Sequence, residues 1–211
     1  MITLTIFSGL RQGELTALKW EDIDMKNYVI NVNKSSLYTP ENGMYIKSTK
    51  TGTDRLVSVP ESVITIMRKY KLSKDESKLK LGELWNKEET YVFTTFNGNP
   101  IFPSTPSKWF TKFITKHNET IENDSAIPKD EKSKYLLKNV NFHGLRHTNA
   151  TVLINQNVDI ATVSKRLGHS KISTTTDIYT HALLKSDRAA SDSLHNLFNK
   201  KNIPLKKHSN F

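Results

Sequence analysis

The sequence predicts an α+β fold that is mostly helical and contains a small three-stranded antiparallel sheet. Most segments carry apolar residues at the three- and four-residue spacing of an amphipathic helix, and the last third of the chain shows only this pattern. Three short runs between residues 28 and 59 are instead rich in β-branched and aromatic residues. Turn-forming Pro, Asn and Gly residues separate these runs, which is typical of strands in an antiparallel sheet.

The individual elements follow from these patterns in chain order. The first helix is predicted within residues 13–20, and the acidic residues 21–24 form a polar connection after it. The predicted strands are residues 28–32, 44–46 and 55–59, and the later helices are residues 61–70, 107–117, 145–154, 160–167 and 173–179. Asp159 is suited to cap the helix over 160–167 and Gly168 to end it. Residues 118–134 are polar and predict a surface insertion.

Composition narrows the class of partner. The chain has 211 residues, and 31 Lys and Arg against 21 Asp and Glu leave a net charge of +10, so a polyanion such as nucleic acid is expected. The absence of cysteine excludes disulfides, iron–sulfur clusters, Cys-ligated zinc and a thiol nucleophile. No stretch approaches the roughly 18 apolar residues of a membrane span, so we expect a cytoplasmic protein that is neither exported nor inserted.

Four short motifs carry side chains suited to phosphate chemistry. They are Gly9-Leu10-Arg11-Gln12-Gly13-Glu14-Leu15, Lys50-Thr51-Gly52, His143-Gly144-Leu145-Arg146-His147, and Leu167-Gly168-His169 with Tyr179 ten residues further on. Cleavage of a phosphodiester without a metal requires positive donors on the non-bridging oxygens, a nucleophile, and an acid for the leaving oxygen. The planar fork of arginine suits the first task, and the four motifs together contain residue types for all three.

Each motif also has a purely structural interpretation. Arg11 can pair with Glu14 one helical turn away, and Glu14 orders the guanidinium under either interpretation. Lys50 lies at the predicted tip of a hairpin, where most lysines face solvent, and the neighbouring Lys47 is an equal candidate on residue chemistry alone. Tyr179 lies among apolar residues and is equally compatible with a place in the core.

His143 and His147 open a competing hypothesis. Four residues apart on a helix, they share one face and form half of a metal site. The motif lacks the glutamate of H-E-x-x-H, and no third ligand is evident from the sequence. Arg146, three residues after His143, favours phosphate over metal, so we expect no metal or cofactor.

The order of these motifs resembles that of the catalytic domain of tyrosine recombinases, the integrases of phages and mobile elements. In that family an arginine in G-L-R-x-x-E-L, a hairpin lysine, an H-x-x-R pair, a histidine in L-G-H and a downstream tyrosine form the active site. The matching residues here are Arg11, Lys50, His143, Arg146, His169 and Tyr179. The resemblance covers nearly the whole chain and implies the fold of that catalytic domain.

The resemblance implies site-specific DNA recombination by metal-free transesterification. Tyr179 would attack the scissile phosphate to form a 3′-phosphotyrosyl link, while Arg11 and Arg146 stabilise the transition state. Lys50 would protonate the leaving 5′-oxygen, His143 would take part in proton transfer at the tyrosine, and His169 would donate to a phosphate oxygen. Glu14 is implied only as a residue that orients Arg11. An inactive DNA-binding or architectural fragment is the alternative.

The family comparison also sets expectations for domains and partners. Residues 1–184 are expected to form an N-terminally truncated catalytic domain, and residues 185–211 a basic C-terminal helix or tail. No core-binding or arm-binding domain is expected in this chain. Double-stranded DNA is the expected partner. The family implies a homo-oligomer, a tetramer on paired DNA sites, formed through the C-terminal segment, and a bacterial or phage protein associated with the nucleoid.

Overall fold

The computed structural model describes residues 1–48, 54–88 and 90–199, most of them helical. The helices in these ranges are α1 (Ile2–Ser8), α2 (Gln12–Ala17), α3 (Glu61–Leu81), α4 (Thr105–Asn123), α5 (Phe142–Asn155), α6 (Ile160–Leu167) and α7 (Ile172–Asn199). The strands are β1 (Ile23–Asp24), β2 (Val29–Val32), β3 (Lys34–Thr39), β4 (Gly43–Ser48) and β5 (Arg55–Ser58). The predicted fold class, mostly helical with a small antiparallel sheet, is confirmed.

The predicted strand pairing is wrong for one strand. The three-stranded sheet has the order β1-β2-β5, whereas β4, which contains the predicted strand 44–46, pairs with β3 in a separate hairpin. β3 was missed because its sequence, Lys-Ser-Ser-Leu-Tyr-Thr, lacks a run of β-branched residues. Contacts with α2 hold β3 instead. The buried Ser36 donates its hydroxyl to Gly13 O. The two backbones approach so closely that a Cβ on Gly13 would lie 2.7 Å from Ser36 O.

Two helices are longer than their apolar patterns predict. Three buried residues, Val63, Ile64 and Met67, anchor the start of α3, and the lysine-rich continuation to Leu81 is largely exposed. Lys74 in this continuation lies over the rings of Tyr70 and Trp85, which stabilises it without an apolar stripe. α4 extends to residue 123, so the first third of the predicted insertion over 118–134 is helical.

The core has two parts, and α5 belongs to both. Phe142 and Leu145 join the larger cluster, formed with α1–α4 and the three-stranded sheet. One to three turns later, Ala150 and Ile154 join a smaller cluster with α6 and Tyr179. The polar residues between them, Arg146 and His147, are therefore held where the two clusters meet.

Of the C-terminal helices, α6 agrees most closely with the prediction. Its bounds are those predicted; the Asp159 side chain accepts from Thr162 N at 2.8 Å, and Gly168 ends the helix with φ of 67°. α7 continues well past its predicted end and is kinked at Tyr179, whose φ of −113° and ψ of 20° are non-helical. In the ranges that the structure describes, we find no helix of the length and apolarity needed to span a membrane.

Candidate active site

Three arginines from distant parts of the chain meet at the C-terminus of α6. The donor and acceptor pairs are Arg55 Nε with Arg166 O at 2.7 Å, Arg146 Nη2 with Leu167 O at 2.6 Å, and Arg11 Nη2 with Gly168 O at 2.8 Å. Carbonyls at the end of a helix lack intrahelical donors and carry partial negative charge, so they attract cations. Because the three acceptors are consecutive, with Cα atoms about 3.8 Å apart, the guanidinium groups lie side by side.

Glu14 is the buried counter-ion of this cluster. Its carboxylate accepts two bonds from Arg55, at 3.0 and 2.7 Å, and one from Arg11 Nη1 at 3.0 Å. Its second oxygen also accepts from the backbone N–H of Arg11 at 2.8 Å, which fixes Glu14 at the start of α2. Burial alone would raise the pKa of Glu14, but the hydrogen bonds and charges of Arg55 and Arg11 outweigh it and hold that pKa below its ordinary value.

The arginines differ in how far solvent reaches them. The side chain of Arg11 is 41% exposed, whereas Arg146 is 2% exposed and Arg55 is 8% exposed. Arg146 also donates to Gly9 O at 2.6 Å, and the two carbonyl bonds use two of its five N–H donors. Burial, together with the charge of Arg11, lowers the pKa of Arg146 to about 9, so the group remains charged at neutral pH.

His169 follows these carbonyls directly and is fixed by a neighbour on α7. Its Nδ1 lies 2.7 Å from the hydroxyl of Thr175, a side chain that is fully buried. Burial and the charges of Arg146 and Arg11 lower the pKa of His169 to about 4. The imidazole is therefore neutral at pH 7, with one ring nitrogen that donates and one that accepts.

Tyr179 lies at the kink of α7 and is 6% exposed. Its ring packs in the smaller core cluster, and its hydroxyl is 2.8 Å from His147 Nδ1 on α5. Burial raises the pKa of Tyr179, and the charge of Arg146 counteracts part of that rise. The phenol is thus protonated at neutral pH and close enough to Arg146 for their charges to interact.

The histidine pair is arranged edge to face, with ring centroids 4.7 Å apart and an angle of 83° between the planes. His143 is exposed, and partial desolvation together with His147 and Arg146 lowers its pKa. Within residues 1–48, 54–88 and 90–199, no three His, Asp or Glu side chains are grouped so that they could hold a metal ion.

The structure thus gathers most of the predicted site residues. Arg11, Arg146 and His169 surround the end of α6, and Tyr179 and His143 reach the same region through His147. Lys50 lies outside the described residues, so its predicted position is not tested.

Sequence reasoning missed two residues of the site, Arg55 and His147 as a partner of Tyr179. Arg55 alternates with Val57 in β5 and with Val59 directly after it, and both valines are buried. In a strand this period-two pattern puts the arginine on the inner face, where it requires a carboxylate partner. His147 was considered only as a metal ligand, and no local pattern indicated a contact 32 residues away.

The close approach of Gly168 to Arg55 leads to a first prediction. Gly168 has φ of 67°, and a Cβ there would lie 2.7 Å from Arg55 Nη1. Gly43 has a similar φ of 65° with nothing within 4 Å of its Cβ position, so Gly43→Ala measures backbone strain alone, about 1–2 kcal/mol. We expect Gly168→Ala to lower the free energy of unfolding by about 1–3 kcal/mol more than Gly43→Ala, as measured by urea denaturation. Equal losses would contradict the tight contact.

The environment of His169 leads to a second prediction. We expect its imidazole resonance, assigned with His169→Gln, to titrate by NMR with a midpoint near pH 4 rather than at its ordinary value of 6.5. Because the folded pKa lies below the unfolded one, the unfolded state takes up this proton first as the pH falls. His169 therefore destabilises the fold progressively below about pH 6.5. A midpoint at or above that value would show that the ring is not desolvated beside the arginines.

Comparison with known proteins identifies the fold and the family. The fold matches that of the Tn1549 transposon integrase in complex with circular intermediate DNA, with a TM-score of 0.69 and 26% identity over 92% of this chain and 58% of that one. The fold is thus that of a tyrosine recombinase catalytic domain. Residues 1–185 match the model of the phage integrase family, and the chain belongs to that family. The resemblance stated from the motifs is confirmed.

Relatives with curated names agree with this assignment. The chain is 35% identical to a protein named tyrosine recombinase XerC-like from Caldanaerobacter subterraneus subsp. tengcongensis, over 94% of this chain and 49% of the relative. It is 29% identical to the ICEBs1 integrase of Bacillus subtilis, over 92% of this chain and 48% of the relative. The chain therefore spans about half the length of these relatives.

Proposed function

We propose that this chain is the catalytic part of a site-specific DNA recombinase that cleaves by metal-free transesterification. The observation that carries the proposal is that Arg11 and Arg146 both bond to the end of α6, while the Tyr179 hydroxyl bonds to His147, the residue after Arg146, in a protein of net charge +10. The charge of Arg146 acts on the phenol. A cluster of charged donors beside a tyrosine suits a phosphate group at which negative charge develops.

The proposed reaction exchanges one phosphoester for another. Tyr179 Oη forms a bond to phosphorus, the bond from phosphorus to the 5′-oxygen breaks, and the 5′-oxygen receives a proton. Arg11 and Arg146 stabilise the charge on the non-bridging oxygens, and the N–H of His169 donates to one of them. Lys50 is the proposed acid for the leaving oxygen, His143 is proposed to take part in proton transfer, and Glu14 orients Arg11.

The product class and the assembly are proposed from the relatives. Relatives include integrases of a phage and of an integrative element, so integration of a mobile element into double-stranded DNA is the proposed activity. Residues 1–184 are proposed as the catalytic domain and residues 185–211 as a basic segment that joins protomers into a tetramer on paired sites. The exposed Leu194 and Leu197 on α7 support such a contact. A cytoplasmic location at the nucleoid is proposed with it.

A covalent trapping experiment tests the proposal. The chain is incubated with a pool of nicked duplexes of randomised sequence, in which the short 5′-hydroxyl strand diffuses away after cleavage and traps the intermediate. We expect a protein–DNA band on a denaturing gel that persists in EDTA and disappears in Tyr179→Phe. Sequencing the trapped DNA then identifies the preferred site.

Other outcomes distinguish the alternatives. DNA binding that weakens steeply with salt but leaves no covalent band would support an inactive DNA-binding module. Cleavage abolished by EDTA would indicate a metal-dependent nuclease. A covalent band retained in Tyr179→Phe would exclude this residue as the nucleophile.

A further inference from the structure

The hydrogen bond between Tyr179 and His147 is the most informative contact that the predicted roles leave unused. The two side chains come from α5 and α7, and 2.8 Å separates Tyr179 Oη from His147 Nδ1. The centroids of the two rings are 5.8 Å apart. The Tyr179 side chain is almost completely buried at the helix kink, so its hydroxyl has a specific protein partner rather than bulk water.

The direction of this hydrogen bond follows from the groups around it. The charged or titratable groups that face His147 are His143 and Arg146 on α5, His169 after α6, and Tyr179 on α7. A guanidinium has no acceptor, so Arg146 cannot receive the phenolic hydrogen. Burial and the charge of Arg146 lower the pKa of His147, which makes its imidazole neutral at pH 7 and able to accept at Nδ1.

His143 is less well placed for the same task. It is exposed, and its ring contacts the ring of His147 edge to face. Of the two histidines, His147 is therefore the one with a hydrogen bond to the phenol.

We propose that His147 is a catalytic residue that accepts the phenolic proton of Tyr179 during strand cleavage. The inference rests on the proposed transesterification and names the proton acceptor for it. As the bond between Tyr179 Oη and phosphorus forms, the O–H bond breaks and its proton moves to His147 Nδ1. The bond to the 5′-oxygen breaks, and a separate acid supplies a proton there. In the reverse step His147 returns the proton to the tyrosine.

The first experiment uses the protein without DNA and does not depend on cleavage. Long-range ¹H–¹⁵N correlation spectra of the histidine rings report which nitrogen carries the proton. We expect His147 to be protonated at Nε2 and unprotonated at Nδ1, with a change of the Nδ1 shift in Tyr179→Phe. A protonated Nδ1 at pH 7, or a shift that is unchanged in Tyr179→Phe, would overturn the proposal.

The second experiment measures cleavage of a nicked duplex in a single turnover. The amide of His147→Asn keeps an acceptor near the position of Nδ1 but takes up no proton, so it separates proton transfer from positioning. We expect the cleavage rate of His147→Asn to be about 10²–10⁴-fold lower than that of wild type. We also expect its pH–rate profile to lack the acid limb, the part in which the wild-type rate falls with falling pH. The control variant His117→Asn, at a partly exposed histidine of α4 outside the site, should retain that limb. A near-normal rate in His147→Asn, or loss of the limb in His143→Asn but not in His147→Asn, would overturn the assignment.

A modified substrate separates the two ends of the reaction. Sulfur in place of the bridging 5′-oxygen makes a leaving group that requires no acid, so a variant lacking the acid recovers its rate. We expect recovery in Lys50→Ala and none in His147→Asn. Recovery in His147→Asn would place this residue at the leaving group and overturn the proposal. If the wild-type chain forms no covalent product, the proposed function fails, and the ring spectra still decide which atom accepts the hydrogen.

Discussion

We expect the replacement of Arg146 with alanine to lower the rate of covalent adduct formation by about 10²–10³-fold, the usual effect of removing one donor to a developing oxyanion. The bulk affinity for DNA should change little, because many surface lysines and arginines contribute to it. The measurement is single-turnover trapping on nicked duplexes under conditions in which the variant is folded, with binding followed in parallel.

Loss of Arg146 also affects folding, so a matched control is needed. The side chain joins Gly9 O to Leu167 O, and each carbonyl that loses its donor costs about 1–3 kcal/mol. Arg166 similarly joins two carbonyls, Phe7 O and Ser58 O. We expect Arg166→Ala to lower stability in urea by a smaller amount, because water can replace its exposed donors, while leaving the cleavage rate of the folded protein within a few-fold of wild type. Equal rate losses in both variants would mean that Arg146 acts only through the fold.

Arg55→Met is the change expected to destabilise the protein most. It removes both strong bonds to the Glu14 carboxylate and the donor to Arg166 O, and breaking a buried ion pair costs about 3–5 kcal/mol. Asp75→Asn, which breaks the exposed pair of Asp75 with Lys71, should cost at most about 1 kcal/mol. Urea denaturation at pH 7 compares the two, and similar losses would contradict a central role for Glu14.

The pH dependence tests the same ion pair from the carboxylate side. The folded pKa of Glu14 lies below its ordinary value of 4.5, so its contribution to stability is present above about pH 4.5 and is lost as the pH falls through the folded pKa. We expect Glu14→Gln to be less stable than wild type at pH 7 and to lose less of its stability on acidification. If the free energy of unfolding fell equally in both proteins on acidification, that result would contradict the lowered pKa of Glu14.

Local signals were sufficient for α6, but they did not predict α1 or the full lengths of α3, α4 and α7. The bounds of α6 follow from an N-cap residue, an apolar stripe and a glycine that accepts positive φ, all within ten residues. The strand pairing was not accessible in this way, because β3 is stabilised by Gly13 and Ser36 across α2 rather than by its own composition. A tertiary contact outweighed propensity there.

The candidate site also contains residues with a local sequence signal and residues that only tertiary contacts bring in. The residue types and order of Arg11, His143, Arg146, His169 and Tyr179 led to the prediction of phosphate chemistry. Arg55 is joined to the site by its buried bonds to Glu14, and His147 by a contact with another helix. Such partners depend on how helices and strands pack, which a single sequence does not encode in any local spacing.

The three carbonyls at the end of α6 have a consequence for synthesis of the protein. Arg11 donates to a carbonyl 157 residues later in the chain, and Arg55 donates to one 111 residues later. A nascent polypeptide still attached to the ribosome therefore carries these guanidinium groups unassembled until residues 166–168 emerge. The arginine cluster is therefore among the last parts of the fold to assemble, and a chain that ends before residue 166 lacks the acceptors that hold it.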